Sequence, residues 1–159
     1  MNKFCCLVVS FVLLLFFSCD SDPCEGVVAD VITQQLYVEY VNAAGENLLT
    51  NGTYAAEEIL VAFNGFSRAP FIFNDSYENV PQELQNRILL DVINLDDQPN
   101  IWTISLSANE TDSLELFLSV ESSGFSGTFY TIDDLKYNNA SLSHTQFNNE
   151  NIYLVTVIK

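Results

Sequence analysis

Alternation of apolar and polar residues at every second position is the feature that most limits how this chain can fold. Trp102, Ile104 and Leu106 stand on one side of a run whose other side is Thr103, Ser105 and Ser107. Leu114, Leu116, Leu118 and Val120 repeat the pattern against Glu115, Ser119 and Glu121, with Phe117 interrupting the polar side. Successive side chains of a strand point to opposite faces, so this period describes half-buried strands and not a helix. Asn109-Glu110-Thr111-Asp112-Ser113, between the two runs, suits a hairpin loop.

Further strands follow from composition and punctuation. Leu36 to Val41 is rich in β-formers and ends at the turn-prone stretch Asn42 to Asn47. Ile59 to Phe63 stops at Asn64-Gly65, and Ile88 to Ile93 stops at Asp96-Asp97-Gln98-Pro99. Gly127 to Ile132 adds another strand. Ile152 to Ile158 is apolar on both faces, which places it in the middle of a sheet and ties down the C-terminus. One segment has two readings. Val80, Leu84, Ile88 and Val92 fit a four-residue spacing behind Asn79 and Pro81, as a helix over 81–93 would. The β-branched run from Ile88 favours a short helical turn at 82–86 followed by a strand. The expected fold is all-β: an antiparallel two-sheet sandwich of about seven strands, immunoglobulin-like or transthyretin-like. Neither an internal repeat nor a low-complexity segment is present.

The N-terminus carries a different signal. Met1-Asn2-Lys3 is a short basic start, Leu7 to Phe17 is apolar except for Ser10, and Ser18 precedes a cysteine and an abrupt return to polar residues. This is the layout of an export signal, and the run is too short to span a bilayer. Phe16-Phe17-Ser18-Cys19 resembles the lipobox of bacterial lipoproteins, with Phe16 where Leu is usual, as in the Leu-Phe-Phe-Ser-Cys endings of lipoproteins from the Bacteroidota. The resemblance implies cleavage before Cys19, a diacylglycerol on its sulfur and an acyl chain on its new amine. Each buried methylene contributes about 0.8 kcal/mol, so two chains anchor stably. The alternative is an ordinary cleaved signal with Cys19 paired to Cys24.

On the lipoprotein reading, Cys5 and Cys6 leave with the signal and Cys24 stays as a tether residue. The chain then divides into a signal peptide (1–18), a lipidated tether (19–31) and a sandwich domain (32–159). Asp20-Ser21-Asp22 resembles the acidic signals that send such lipoproteins to the cell surface, which implies the outer face of the outer membrane, with the periplasmic face as the alternative. Thr53 to Ile59 and Glu110 to Leu116 resemble segments of small Bacteroidota lipoproteins, a likeness that implies no activity.

Cleavage removes 18 of 159 residues and leaves 141, the size of one domain and enough for a core without disulfides. All 21 acidic residues lie in that part, against Arg68, Arg87, Lys136 and Lys159, so its charge is −17 with His144 neutral. Such a surface repels phosphate backbones and anionic lipid headgroups, which argues against nucleic acid and makes the lipid the means of membrane attachment.

Groups able to do chemistry are sparse. His144, the single histidine, lies in the polar stretch Ser143-His144-Thr145 and reads as a solvated loop residue. A nucleophile elbow, a phosphate-binding glycine loop and a zinc ligand set are all missing from the sequence, and it calls for no cofactor. Asp96-Asp97 and Asp133-Asp134 are expected in loops, where carboxylates can hold calcium or serve hydrolysis, but neither belongs to a recognisable calcium loop.

Four Asn-x-Ser/Thr triplets begin at Asn51, Asn74, Asn109 and Asn139 and read as accidents of an Asn-rich chain. Asp112-Ser113-Leu114 looks like the short site at which Bacteroidota O-glycosylate exported proteins, which would place a sugar on Ser113 in the hairpin loop. The expected function is therefore non-enzymatic: a lipid-anchored envelope protein whose sandwich binds or presents something, with an envelope protein or a carbohydrate as partner. Exposed aromatics drawn from Tyr37, Tyr40, Phe66, Phe71, Phe73, Tyr77, Tyr130 and Tyr137 would serve that role. The alternatives are a small cation-dependent hydrolase built on the loop acids and an accessory subunit of an envelope complex.

Overall fold

The computed structural model describes residues 34–92, 100–123, 127–148 and 151–159, all within the compact unit Val31–Lys159. The expected signal peptide (1–18) and tether (19–31), with Cys19 and Cys24, and Asp96-Asp97 lie outside the described residues. Among those described, ten strands form two sheets. They are β1 (Gln34–Val41), β2 (Leu60–Phe63), β3 (Phe66–Arg68), β4 (Ile88–Val92), β5 (Asn100–Ser107), β6 (Glu110–Ser123), β7 (Gly127–Tyr137), β8 (Ala140–Ser141), β9 (His144–Gln146) and β10 (Ile152–Ile158). One sheet has the order β4-β1-β10-β9 and the other β3-β2-β5-β6-β7-β8. The all-β sandwich is as expected. Three strands exceed the expected number because β3, β8 and β9 are only two or three residues long, too short to show a period. Gln82–Leu84 is a single 3-10 turn and Ile88 starts a strand, which settles the choice between helix and strand after Pro81.

One pairing departs from the antiparallel expectation. β1 and β10 run parallel, in continuous register from Gln35 opposite Ile152 to Val41 opposite Ile158. A tight turn can only join antiparallel neighbours. These strands are separated by the whole domain, so no turn dictates their direction. β10 lies between β1 and β9, an interior position that matches its two apolar faces.

The alternation in sequence becomes the packing between the sheets. Leu36, Val38 and Tyr40 of β1 and Tyr153, Val155 and Val157 of β10 face Trp102, Ile104, Leu106, Leu114 and Leu116 across the core. Fully burying side chains of this size stabilises by about 1.5–3 kcal/mol each. β7 breaks the period: Phe117 pairs with Asp134 but Leu118 with Ile132, so Asp133 is an extra residue, a bulge. The bulge lets Ile132 and Leu135, three positions apart, both point inward.

At one end of the sandwich the buried Gln34 side chain bridges the sheets. Its Nε2 donates to the Tyr130 carbonyl and its Oε1 accepts from the Tyr130 N–H, each at 2.6 Å.

The expected loop 109–113 is a turn of two residues, Ala108-Asn109, and Thr111, Asp112 and Ser113 belong to β6. Thr111 and Ser113 are polar because they occupy the outward side of the strand, while Asp112 points inward and is 4% exposed. Asp133-Asp134 is likewise strand, within β7, and His144 opens β9.

Candidate functional site: an aromatic cleft at the sheet edge

Asn64-Gly65 joins β2 to β3 with φ values of 48° and 80°, the left-handed pair a tight two-residue hairpin requires. The register sets Phe63 opposite Phe66 and Val61 opposite Arg68, while on the other side Phe63 lies opposite Trp102. These five residues therefore share the inward face of the six-stranded sheet. Cover runs out along that face: Val61 is 0% exposed and Trp102 3%, Phe63 is half-buried, and Phe66 at the edge is 83% exposed.

The resulting cleft measures about 420 Å³. Phe63 stacks on Trp102 at 4.6 Å between ring centroids, 24° from parallel, and makes its wall. Asn64, Arg68 and Asp91 add polar groups to the lining. Arg68 Nη2 donates to Asp91 Oδ2 at 2.8 Å, joining β3 of one sheet to β4 of the other. The pair is well exposed, 61% and 36% by side chain, so it contributes only about 0.2–1 kcal/mol and can exchange its partner for a ligand.

A second aromatic group begins three residues past β3. Phe71 extends the edge of β4 by a bridge to Leu89, whose N–H donates to the Phe71 carbonyl at 3.0 Å. Phe71, Phe73 and Tyr77 meet edge to face at centroid distances of 4.8, 5.3 and 6.4 Å, and Phe73 stacks on the buried Tyr37 at 6.5 Å. Of the eight aromatics singled out in the sequence, Phe66, Phe71 and Tyr77 are exposed; Tyr37 and Tyr40 are buried, and Phe73, Tyr130 and Tyr137 are half-buried.

The most elaborate polar cluster lies elsewhere, around Lys159. Its Nζ donates to Glu110 Oε1 and to Asp112 Oδ2, both at 2.7 Å, and its backbone N–H donates to the Val41 carbonyl at 2.9 Å. Asn138 Nδ2 donates to Asp112 Oδ1 at 2.9 Å, and the Tyr54 hydroxyl to Glu110 Oε2 at 2.9 Å. Burial opposes ionisation of Asp112, but the hydrogen bonds from Lys159 and Asn138 outweigh it and hold the carboxyl below its ordinary value of 3.8. Burial likewise opposes the charge on Lys159, and its two carboxylates more than compensate, raising the ammonium above 10.5. Burial first, then the negative charge of Asp112, pushes the Tyr40 phenol far up. An acid–base residue needs a pKa near its working pH. These shifts run the other way; the bonds of Lys159 to Glu110 and Asp112 in β6 and to Val41 in β1 tie the two sheets together as a clamp.

The remaining residues marked in the sequence do not converge. Ser113 sits half-buried in β6, its N–H donating to Asn138 Oδ1 at 2.8 Å, and its neighbour Asp112 is the buried end of the clamp. Asp133 is exposed and accepts from the Ser119 hydroxyl at 2.9 Å; Asp134 accepts from the Leu135 N–H at 2.9 Å. His144 meets Tyr153 edge to face at 5.8 Å. Among the described residues no three His, Cys, Asp or Glu side chains gather into a metal site, and no helix is long and apolar enough to cross a membrane. The loop acids expected to converge for a hydrolase are therefore, for Asp133 and Asp134, strand residues.

Sequence reasoning placed Trp102 in the core and treated Phe63 as an ordinary strand residue, and so missed the cleft. The available signal was Asn64-Gly65 flanked by two phenylalanines, a hairpin whose second strand is an exposed edge. Compared with known protein families, curated proteins and solved structures, the chain matches none.

Proposed function

We propose that this chain is a lipid-anchored cell-envelope protein, held through Cys19, whose sandwich is a non-catalytic binding module with the cleft between β3 and β4 as its ligand site. The observation that carries the reading is an open apolar wall in which exposed Phe66 and half-buried Phe63 stand over the buried Trp102, beside Arg68 and Asp91. Binding sites combine an apolar concave wall with a few placed polar groups, and a monomer seldom leaves such a wall open without a use for it. The export signal and lipobox-like ending support the anchor, and the acidic residues after Cys19 support the outer surface of the outer membrane.

The test is mass spectrometry of the protein extracted from its native membranes with detergent, alongside the Cys19→Ala variant. A mature N-terminus at Cys19 carrying lipid, lost in the variant, is expected. An unlipidated protein released without detergent would overturn the anchor and leave a secreted binding module.

A further inference from the structure

The outer edge of β3 has a geometry of its own. In a two-residue hairpin the residues flanking the turn exchange both backbone hydrogen bonds, and the hydrogen-bonded pairs then alternate along the ladder. Phe63 and Phe66 flank the turn, so they form such a pair, and so do Val61 and Arg68. Ser67 falls between them and directs its N–H and C=O away from β2. Among the described residues no strand lies beyond β3 in its sheet. The same edge therefore offers free main-chain groups at Ser67 and, on the inward side of its neighbours Phe66 and Arg68, the apolar cleft. Recognition by strand addition needs this combination: main-chain pairing for affinity and a pocket for an alternate side chain.

Charge restricts the partner. Between Tyr54 and Val92 the sequence holds six acids and two bases. Both bases are already engaged, Arg68 with Asp91 and Arg87 with Glu39, each pair at 2.8 Å. Glu57, Glu58, Asp75 and Glu78 are exposed and form no ion pair among the described residues. With 21 acids against five bases in the whole chain, a segment docking here is favoured when it is cationic.

Resting on the binding-module reading, we infer that the cleft takes an extended peptide segment of another protein, which pairs with Ser67 as an added strand, inserts one apolar side chain beside Phe63 and Trp102, and carries lysine or arginine on either side. The interaction is a short one, a strand of three or four residues, suited to reversible capture at a surface.

Trp102 is the single tryptophan of the chain and forms the cleft wall, so its emission reports occupancy directly. The full chain is reconstituted in phosphatidylcholine vesicles, which carry no net charge to attract the probe. It is titrated with a capped Lys-Val-Phe-Val-Lys peptide, with the same peptide N-methylated at alternate amides, and with a neutral oligosaccharide. The expected result is a saturable Trp102 shift with the first peptide. It should be at least about tenfold weaker when N-methylated and in Ser67→Pro, which removes the free N–H without touching the β2–β3 ladder. Phe66→Ala, at a largely exposed position, should weaken it without affecting the fold. Equal binding of the N-methylated peptide would overturn strand addition. A response to the sugar alone would overturn the peptide as ligand and leave the cleft as a binding site. No response to any probe would overturn both this inference and the cleft's role as a ligand site.

Discussion

Asp112 is a carboxylate in a position that alternation reserves for an apolar side chain, and it is tolerated because Lys159 reaches it from the opposite sheet. A buried charge deprived of its partner is costly. Lys159→Met should therefore destabilise the fold by about 2–3 kcal/mol, less than a wholly buried pair because the lysine is 20% exposed, as read by chemical denaturation. The pH dependence follows from the two shifts. Asp112 is depressed, so its contribution is present above its ordinary value of 3.8 and is lost as pH falls through the lower folded value. Lys159 is raised, so its contribution is present below 10.5 and is lost only as pH climbs through the higher folded value. The melting temperature should thus show no contribution from this pair changing across neutral pH and should fall in acid. Asp112→Asn should lower the neutral value and make the decline below about pH 4 shallower.

At the scale of elements, similar residues in one strand have different fates. Leu116 is 1% exposed and Val120 is 56% exposed, although both stand on the apolar side of β6. Leu116→Ala should cost about 2–5 kcal/mol and Val120→Ala less than about 0.5, measured as a pair of denaturation curves. Gly65→Ala tests the hairpin that sets the cleft. A methyl there meets nothing within 4 Å, so the cost is the left-handed backbone alone, about 1–2 kcal/mol, with Trp102 emission reporting any change at the cleft wall.

These contrasts show what could be read from sequence. Strong alternation marked Trp102, Ile104, Leu106, Leu114 and Leu116 as core, and the structure buries all five. It missed Asp112 and its neighbours, because a polar run looks like a loop unless the distant lysine that neutralises it is known. It also missed the continuation of β7 through Asp133, because a bulge shifts the period by one. The cleft was missed for a different reason: Asn64-Gly65 between two phenylalanines marks the hairpin, but whether Phe66 is core or surface depends on how far the opposite sheet extends, which is a property of the assembled pair.

At the scale of the molecule, the parallel pairing of β1 with β10 decides how the sandwich bears load. The strand leading in from the N-terminal side and the strand ending at Lys159 lie side by side and point the same way, so tension between Gln34 and Ile158 runs along the ladder and not across it. Hydrogen bonds pulled lengthwise must fail together, whereas an antiparallel pair pulled at its open end parts one bond at a time. Stretched from residue 34 and residue 158 in an optical trap, the domain should resist far higher force than when pulled through the β5–β6 hairpin.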